Sequence, residues 1–441
     1  MTVITRFAPS PTGLLHIGNV RTALICYLIA QKEGGQFMLR IDDTDMERSK
    51  EEYVDNIKQS LEWLGLKWDF MARQSERFDR YEEIKKQFIA AGRLYPCYES
   101  AEELDMKRKM LINRGLPPIY DRSAMKLTDA EKAKFEQEGK KPHWRFKLDE
   151  NTPIEWNDLV RGHIHFDAKN LSDPILIRED GSYTYMLPST IDDVDFKITH
   201  ITRGEDHISN TAIQIQLFQA MGNKLPYFAH LSLMKGKEGK ISKREGGFDI
   251  QSLRDEGFEP IAISSFLARL GTADPIEART NLKDIVANFD LSRFSKGTTI
   301  YDFAELERMN PKVLHAMSYG EVKSRPELSG IDEEFWNSVR PNIKKLAEIK
   351  EWWDICKENL TPIIDDSEFL KEASTVLPEG TWDENTWNQW VELVKQKTGR
   401  KGKDLFMPIR KAITAREHGP ELKQILPLIG REKTFARLNG K

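Results

Sequence analysis

At 441 residues, 39% of them hydrophobic and 31% charged, the chain is long enough for two to four domains and has the make-up of an ordinary soluble protein. A formal net charge of −4 excludes nothing about local fields but gives no sign of a polycationic nucleic-acid binder, and no apolar run is long enough to cross a bilayer. The N-terminus opens on a strand pattern where a signal peptide needs a basic and then an apolar stretch, so a cytoplasmic setting is expected. The three cysteines, Cys26, Cys97 and Cys356, fit neither a disulfide framework nor a zinc spacing and read as free thiols.

Ile4 to Ala8 is short and β-prone, suited to the first strand of a buried parallel sheet, and Pro9 and Pro11 end it. A turn through Gly13 and His16 leads into a helix whose apolar positions Val20, Ala23, Leu24, Tyr27 and Leu28 stop at Gly34-Gly35. His16 thus stands at a helix start, where free backbone N–H groups and the helix dipole favour phosphate and an imidazole adds a donor; the plain alternative is a turn and nothing more. Phe37 to Ile41 forms the second strand of a right-handed βαβ unit. Asp42-Asp43-Thr44-Asp45 follows at its carboxyl end, ready to hold Mg²⁺, a substrate ammonium or the turn itself. Ser49-Lys50-Glu51-Glu52 predicts a capping box opening a helix through Leu64, and a further helix spans Arg77 to Ala91 with Phe78, Tyr81, Ile84, Phe88 and Ile89 on its inner side.

From Tyr95 to about Ser182 the rhythm changes to that of an inserted α+β domain, with a helical piece at Ala101 to Asn113 and β-like runs at Trp144–Leu148, Gly162–Phe166 and Pro174–Ile177. His163 and His165 share one face of a strand but have no third ligand nearby, so a packed or exposed pair is expected. The first domain restarts at Ile198 to Ile201, followed by Arg203-Gly204-Glu205-Asp206-His207 as a polar loop into a helix from Thr211 to Met221. After a strand at His230 to Met234, four lysines, an arginine and two glycines between Lys235 and Arg244 make a strongly positive loop, a lid for polyphosphate if it lies beside an anion site. The rest is helical. Trp352, Trp353, Trp382, Trp387 and Trp390 suit helix packing better than base stacking. Acids outnumber bases about twofold from Pro341 to Trp390, and the balance reverses from Val391 to Lys441.

His16-Ile17-Gly18-Asn19 and Lys240-Ile241-Ser242-Lys243-Arg244 resemble the paired HIGH-type and KMSKS-type motifs of class I aminoacyl-tRNA synthetases. The surrounding text, Arg6 to Gly13, Leu39 to Asp45, Thr184-Tyr185 and Thr202 to His207, is similar to the bacterial glutamyl branch of that family. The resemblance implies an α/β fold: a Rossmann-like parallel sheet domain (1–94 and 183–240) split by an α+β acceptor-stem-binding insertion (95–182). A KMSKS loop and stem-contact helical domain (241–310) and a helical anticodon-binding region (311–441) follow. It implies glutamate activation by ATP with Mg²⁺, then transfer to the 2′-hydroxyl of tRNA(Glu), with charging of tRNA(Gln) left open, by a monomeric cytoplasmic enzyme with no membrane attachment.

The same resemblance assigns residues. His16, Lys240 and Lys243 carry catalysis. Ser10, His16, Gly18, Asn19 and the segment Lys240, Ile241, Ser242, Lys243, Arg244 hold ATP. Arg6, Ser10, Asp42 and Tyr185 surround the substrate's α-carboxylate and ammonium, and Arg203 meets its side-chain carboxylate through a planar fork. Two departures stand out. Relatives commonly carry Glu at position 42, so the shorter Asp42 reaches the ammonium only after a shift or through water. Where some relatives place zinc ligands, Cys97 is followed by Glu99, and Ser123 replaces a cysteine, so no structural zinc is expected. Two alternatives remain: an enzyme that loads glutamate onto a queuosine-type base in tRNA, and an inactive paralogue that only binds tRNA.

Overall fold

The computed structural model describes residues 2–236 and 249–441, and the chain divides into two compact units. The first comprises Met1–Leu253, Ser264–Ile276 and Asn281–Phe303; the second comprises Arg254–Ile263, Glu277–Thr280 and Ala304–Lys441.

The first unit begins with β1 (Ile4–Phe7), α1 (Ile17–Lys32), β2 (Gln36–Ile41), α2 (Glu51–Trp63), β3 (Phe70–Arg73), a strand the sequence did not announce, and α3 (Phe78–Ala90). The insertion carries β4 (Leu94–Cys97), α4 (Ala101–Asn113), α5 (Asp129–Gln137), β5 (His143–Phe146), β6 (Ile154–Asp158), β7 (Gly162–Phe166) and β8 (Ile175–Ile177). The chain then returns through α6 (Met186–Asp195), β9 (His200–Gly204), α7 (Ile208–Ala220) and β10 (Tyr227–Leu231), with a short β11 (Met234–Gly236). Strands β10, β9, β1, β2 and β3 lie in that order in one sheet, every pair parallel. Order reverses between β1 and β9, which opens a crevice at the carboxyl ends of these strands, the place where open α/β sheets take ligands.

Apolar alternation gives way to solid burial because helices cover both faces: all of Phe37 to Leu39 and Ile41 are sealed off, as is nearly every apolar residue of α1. The insertion shares its core with this domain. Phe146, Leu148, Leu176 and Ile177 cluster with Tyr81, Leu187 and Leu217, and Ile154 and Trp156 cluster with Met38, Ile201 and Phe228. Hydrogen bonds tie the two as well, Leu159 N donating to Phe228 O at 2.8 Å.

Several local expectations shift. Helix α2 starts at Glu51 with Lys50 at its N-cap and no side-chain cap. Ser49 misses the capping position because Lys50 N bonds Pro11 O (3.1 Å) and Ser49 N bonds Asp45 O (3.0 Å), which sets the register one residue later. Phe78 and Ile89 on α3 are exposed rather than inward. Arg203 and Gly204 lie inside β9, and α7 begins at Ile208, so the expected loop is a strand end and one 3-10 turn, Glu205–His207.

After the sheet come α8 (Ile250–Asp255), α9 (Pro260–Arg269), α10 (Leu282–Ala287), β12 (Thr299–Tyr301), which pairs with β11, and α11 (Phe303–Ala316). The second unit continues through α12 (Tyr319–Val322), α13 (Glu333–Val339), α14 (Glu348–Lys357), α15 (Ser367–Ser374), α16 (Thr386–Thr398), α17 (Lys403–Thr414), α18 (Leu422–Ile429) and α19 (Arg431–Leu438). Its tryptophans pack: Trp336 and Trp390 are fully buried, with indole N–H groups on Met317 O (3.2 Å) and Ala373 O (3.0 Å). Among the described residues no helix is long and apolar enough to cross a membrane.

Candidate active site

The stretch between β1 and α1 is held against the end of β2 by Asp42 N on Pro9 O (3.0 Å). At its end His16 is the N-cap of α1. Its Nδ1 accepts from Gly18 N (3.1 Å) and Asn19 N (3.2 Å), so the imidazole caps the helix that was expected to present those N–H groups to phosphate. A ring nitrogen that accepts two hydrogen bonds carries no proton, which puts the proton of the neutral ring on Nε2. Desolvation of the ring lowers its pKa and favours the same neutral form. Gly18 permits this cap: a Cβ there would sit 3.0 Å from the imidazole. Asp249, the first described residue after 237–248, bridges to His16, and Ile250 N bonds Leu15 O at 3.0 Å. Lys240, Ile241, Ser242, Lys243 and Arg244 lie outside the described residues, but the chain re-enters beside His16.

Arg6 on β1 and Arg40 on β2 project from the same sheet face, since Arg6 is in register with Met38, two residues before Arg40. Both are buried, and α6 supplies their counter-charge. Asp193 takes Arg6 Nε at 3.1 Å and Arg40 Nη1 at 2.7 Å. Arg40 also grips Asp42 with Nε at 2.6 Å and Nη2 at 3.0 Å, and Ser189 Oγ at 2.9 Å. Burial opposes the Arg40 charge, but Asp42, Asp193 and Asp192 together hold its pKa well above the ordinary value. Asp42 is pushed up to about 6 by burial, with Arg40 pulling the other way. Its side chain keeps 13% exposure, so this carboxylate still faces the crevice while both oxygens are engaged by Arg40.

The other acids of the 42–45 cluster serve the fold. Asp43 accepts from Ser75 N and Oγ (each 2.8 Å) and Arg73 Nε (3.0 Å), which fastens the end of β3; Asp45 pairs with Arg48 at 2.6 Å.

Arg203 is different. Its Nη2 donates to Thr211 Oγ1 at 2.6 Å, but its buried Nε has no partner and no carboxylate among the described residues pairs with it. Burial, and next the positive charge of Arg6, lower its pKa to about 10. A half-buried arginine whose Nε is shut off from water and left without an anion is a costly arrangement unless a ligand supplies one. Tyr185 stands at the head of α6, 40% exposed, its ring 6.0 Å from that of His207. Ser10 is exposed on the loop after β1. Sequence reasoning missed Asp193 and Arg40; the available signal was an arginine in each of two strands that are otherwise mostly buried.

In the insertion Cys97, Glu99 and His143 bring three ligand atoms within 4.8 Å of one another. Glu99 Oε2 and His143 Nε2 are buried there without a hydrogen-bond partner among the described residues, but three ligand atoms are one short of a closed structural zinc site. Glu99 Oε1 accepts from Tyr120 (2.7 Å), Ser123 (3.0 Å) and the Lys107 ammonium (3.3 Å), and that ammonium would face a cation at this place. Burial pushes the Cys97 thiol up to about 12, and no fourth ligand completes a tetrahedron among the described residues. His163 and His165 are exposed, His165 bonding Glu155 at 2.8 Å.

Residues 2–308 match the family described as tRNA synthetases class I (E and Q), catalytic domain, and residues 306–440 match the anticodon binding domain. Two curated relatives span almost the whole chain: Glutamate–tRNA ligase 1 of Wolbachia pipientis, 50% identical and covering 99% of this chain and 98% of its own, and Glutamate–tRNA ligase 1 of Maricaulis maris, 51% identical and covering 99% of both. A crystal structure of a glutamate tRNA ligase from Elizabethkingia meningosepticum in complex with its amino acid aligns over 100% of this chain and 99% of that one, with TM-score 0.84 and 27% identity. The fold and crevice are those of a class I aminoacyl-tRNA synthetase, a ligase, and within that class the chain belongs to the glutamate–tRNA ligase family.

Proposed function

We propose that the chain activates L-glutamate with ATP and transfers it to the 2′-hydroxyl of the terminal adenosine of tRNA(Glu). The observation that carries the reading is the buried, partnerless Nε of Arg203: a carboxylate is the acceptor that best matches a guanidinium N–H left without one. Arg6 and Asp42 then match the α-carboxylate and α-ammonium of the same amino acid, with Ser10 and Tyr185 beside them.

In the first step the α-carboxylate oxygen bonds to the α-phosphorus of ATP and the bond to the pyrophosphate oxygen breaks. Negative charge builds on the phosphate oxygens, so the catalyst is electrostatic. Neutral His16 donates from Nε2 toward the phosphates. Ser10, Gly18, Asn19 and the segment Lys240, Ile241, Ser242, Lys243, Arg244 complete the ATP site, and Lys240 and Lys243 meet the departing pyrophosphate. Mg²⁺ arrives with ATP as part of the substrate complex. Structural zinc has no part in the scheme.

The anticodon-binding region argues against the queuosine-type modifying enzyme, which lacks it, and an unpaired Arg203 argues against a paralogue that only binds tRNA. The enzyme acts as a cytoplasmic monomer. Charging purified tRNA(Glu) and tRNA(Gln) with labelled glutamate tests the reading. Charged tRNA(Glu) is expected, the tRNA(Gln) lane reports whether specificity is broad, and no charging of either refutes the function.

A further inference from the structure

Behind Arg203 lies a chain of three groups drawn from three separate elements. Thr211 Oγ1 on α7 accepts from Arg203 Nη2 at 2.6 Å and lies 2.7 Å from His230 Nε2 on β10. His230 Nδ1 lies 2.5 Å from Asp158 Oδ2, at the end of β6 in the insertion. All three side chains are buried. The sheet register creates the alignment: His230 is the partner of Arg203 across the parallel β9–β10 pair.

The direction of each bond follows from donor counting. Asp158 also accepts from the backbone N–H groups of His230 (3.1 Å), Val160 (3.0 Å) and Arg161 (2.9 Å). Burial raises its pKa, but the His230 ring first, and then the backbone N–H groups of Arg161 and His230, hold it below the ordinary range and keep it an anion. It therefore takes the proton on His230 Nδ1. Burial, with Arg203 nearby, keeps His230 neutral, so Nε2 is bare and, at 2.7 Å, is the nearer of the two acceptors for the Thr211 hydroxyl proton, the other being His207 O at 3.0 Å. The threonine oxygen is left with lone pairs for Arg203. Carboxylate, imidazole and hydroxyl stand in the order of a nucleophile-activating triad, but the hydroxyl is sealed from solvent and already bound to a guanidinium, so no nucleophile is on offer.

We propose that Asp158, His230 and Thr211 are positioning residues that fix the Arg203 fork for the side-chain carboxylate of the substrate, so that a residue of the insertion sets amino-acid recognition. The proposal rests on the assignment of that carboxylate to Arg203. The test is ATP–pyrophosphate exchange by the full chain with tRNA(Glu) present, with KM for glutamate, KM for ATP and kcat measured separately. Thr211→Val, which keeps shape and loses the hydroxyl, is expected to raise the glutamate KM about tenfold with the ATP KM within about twofold of the parent. Thr211→Ser is expected to restore it, and Asp158→Asn to shift the same KM in the same direction. An unchanged glutamate KM in Thr211→Val, or an equal loss in Thr211→Ser, overturns the proposal. Arg203→Ala is the control: if it leaves the glutamate KM unchanged the assignment of the carboxylate fails, whereas a raised KM there with none in Thr211→Val defeats the positioning chain alone.

Discussion

Arg203 and Asp42 are the two side chains whose electrostatics commit them most clearly. Removing the guanidinium deletes two charge-assisted hydrogen bonds, each worth about 1.5–3 kcal/mol, so Arg203→Ala should weaken glutamate binding on the order of a hundredfold or more. Steady-state exchange kinetics should show this in the glutamate KM, with the ATP KM little changed. Asp42 gives a pH signature. Held near 6, it is ionised above that value and protonated below it, so kcat/KM for glutamate should fall as pH drops through about 6, and Asp42→Asn should lack that limb. The stability sign is opposite. Because the folded protein holds this proton more tightly than an unfolded chain with a pKa of about 3.9, ionising Asp42 between about pH 4 and 6 costs stability. The residue types at these positions were legible in the sequence, but their partners were not. Arg6, Arg40 and Asp193 come from β1, β2 and α6, and only the sheet register stacks them; Asp158, His230 and Thr211 were hidden for the same reason. A histidine within the apolar run of β10 was the one visible hint.

At the scale of elements, the start of α1 carries two functions in one side chain. His16 caps the helix through Nδ1 and, in the proposed mechanism, serves ATP through Nε2. These roles separate by substitution. His16→Asn keeps a good N-cap and should leave thermal unfolding close to that of the parent, while His16→Ala should cost about 1 kcal/mol. Both should slow activation by about a hundredfold or more, since both remove the imidazole Nε2–H and the short asparagine amide, engaged as the cap, does not extend to its position. If His16→Asn retains full exchange activity, the imidazole is a cap only. The sequence located this helix start and its glycine correctly, because caps and stops are local. It missed that the imidazole consumes the N–H groups, because side-chain direction at a cap depends on the turn before it. The same limit moved the start of α2 past Ser49: ties from Lys50 to Pro11 and from Ser49 to Asp45 outweighed a good local capping pattern.

Across the whole molecule the charge reversal near the C-terminus reads differently once the partners are placed. Arg400 pairs with Asp366 (2.7 Å) and lies over Phe369, Lys395 pairs with Glu392 (2.7 Å), and Lys411 sits between Asp365 (3.1 Å) and Glu417 (2.9 Å), so much of the basic run stabilises its own unit. Arg410 turns inward to Pro420 O at 3.0 Å. Lys401 and Lys403 are exposed and are the better candidates for phosphate. The pair Lys401→Glu and Lys403→Glu should raise the tRNA KM several-fold and flatten its salt dependence by about one unit of slope per lost contact, with the glutamate KM unchanged. Arg400→Glu should instead lower the unfolding temperature. Composition announced the asymmetry but not its use, because charge runs say nothing about which neighbours fold back on them.

Amino-acid-dependent ATP–pyrophosphate exchange, run with each of glutamate, glutamine and aspartate in the presence of tRNA(Glu), tests most directly the claim that Arg203, half-buried and without a counter-ion among the described residues, selects an acidic side chain of one length. Exchange with glutamate alone is expected. No exchange with any of the three, or glutamine as efficient as glutamate, would contradict it.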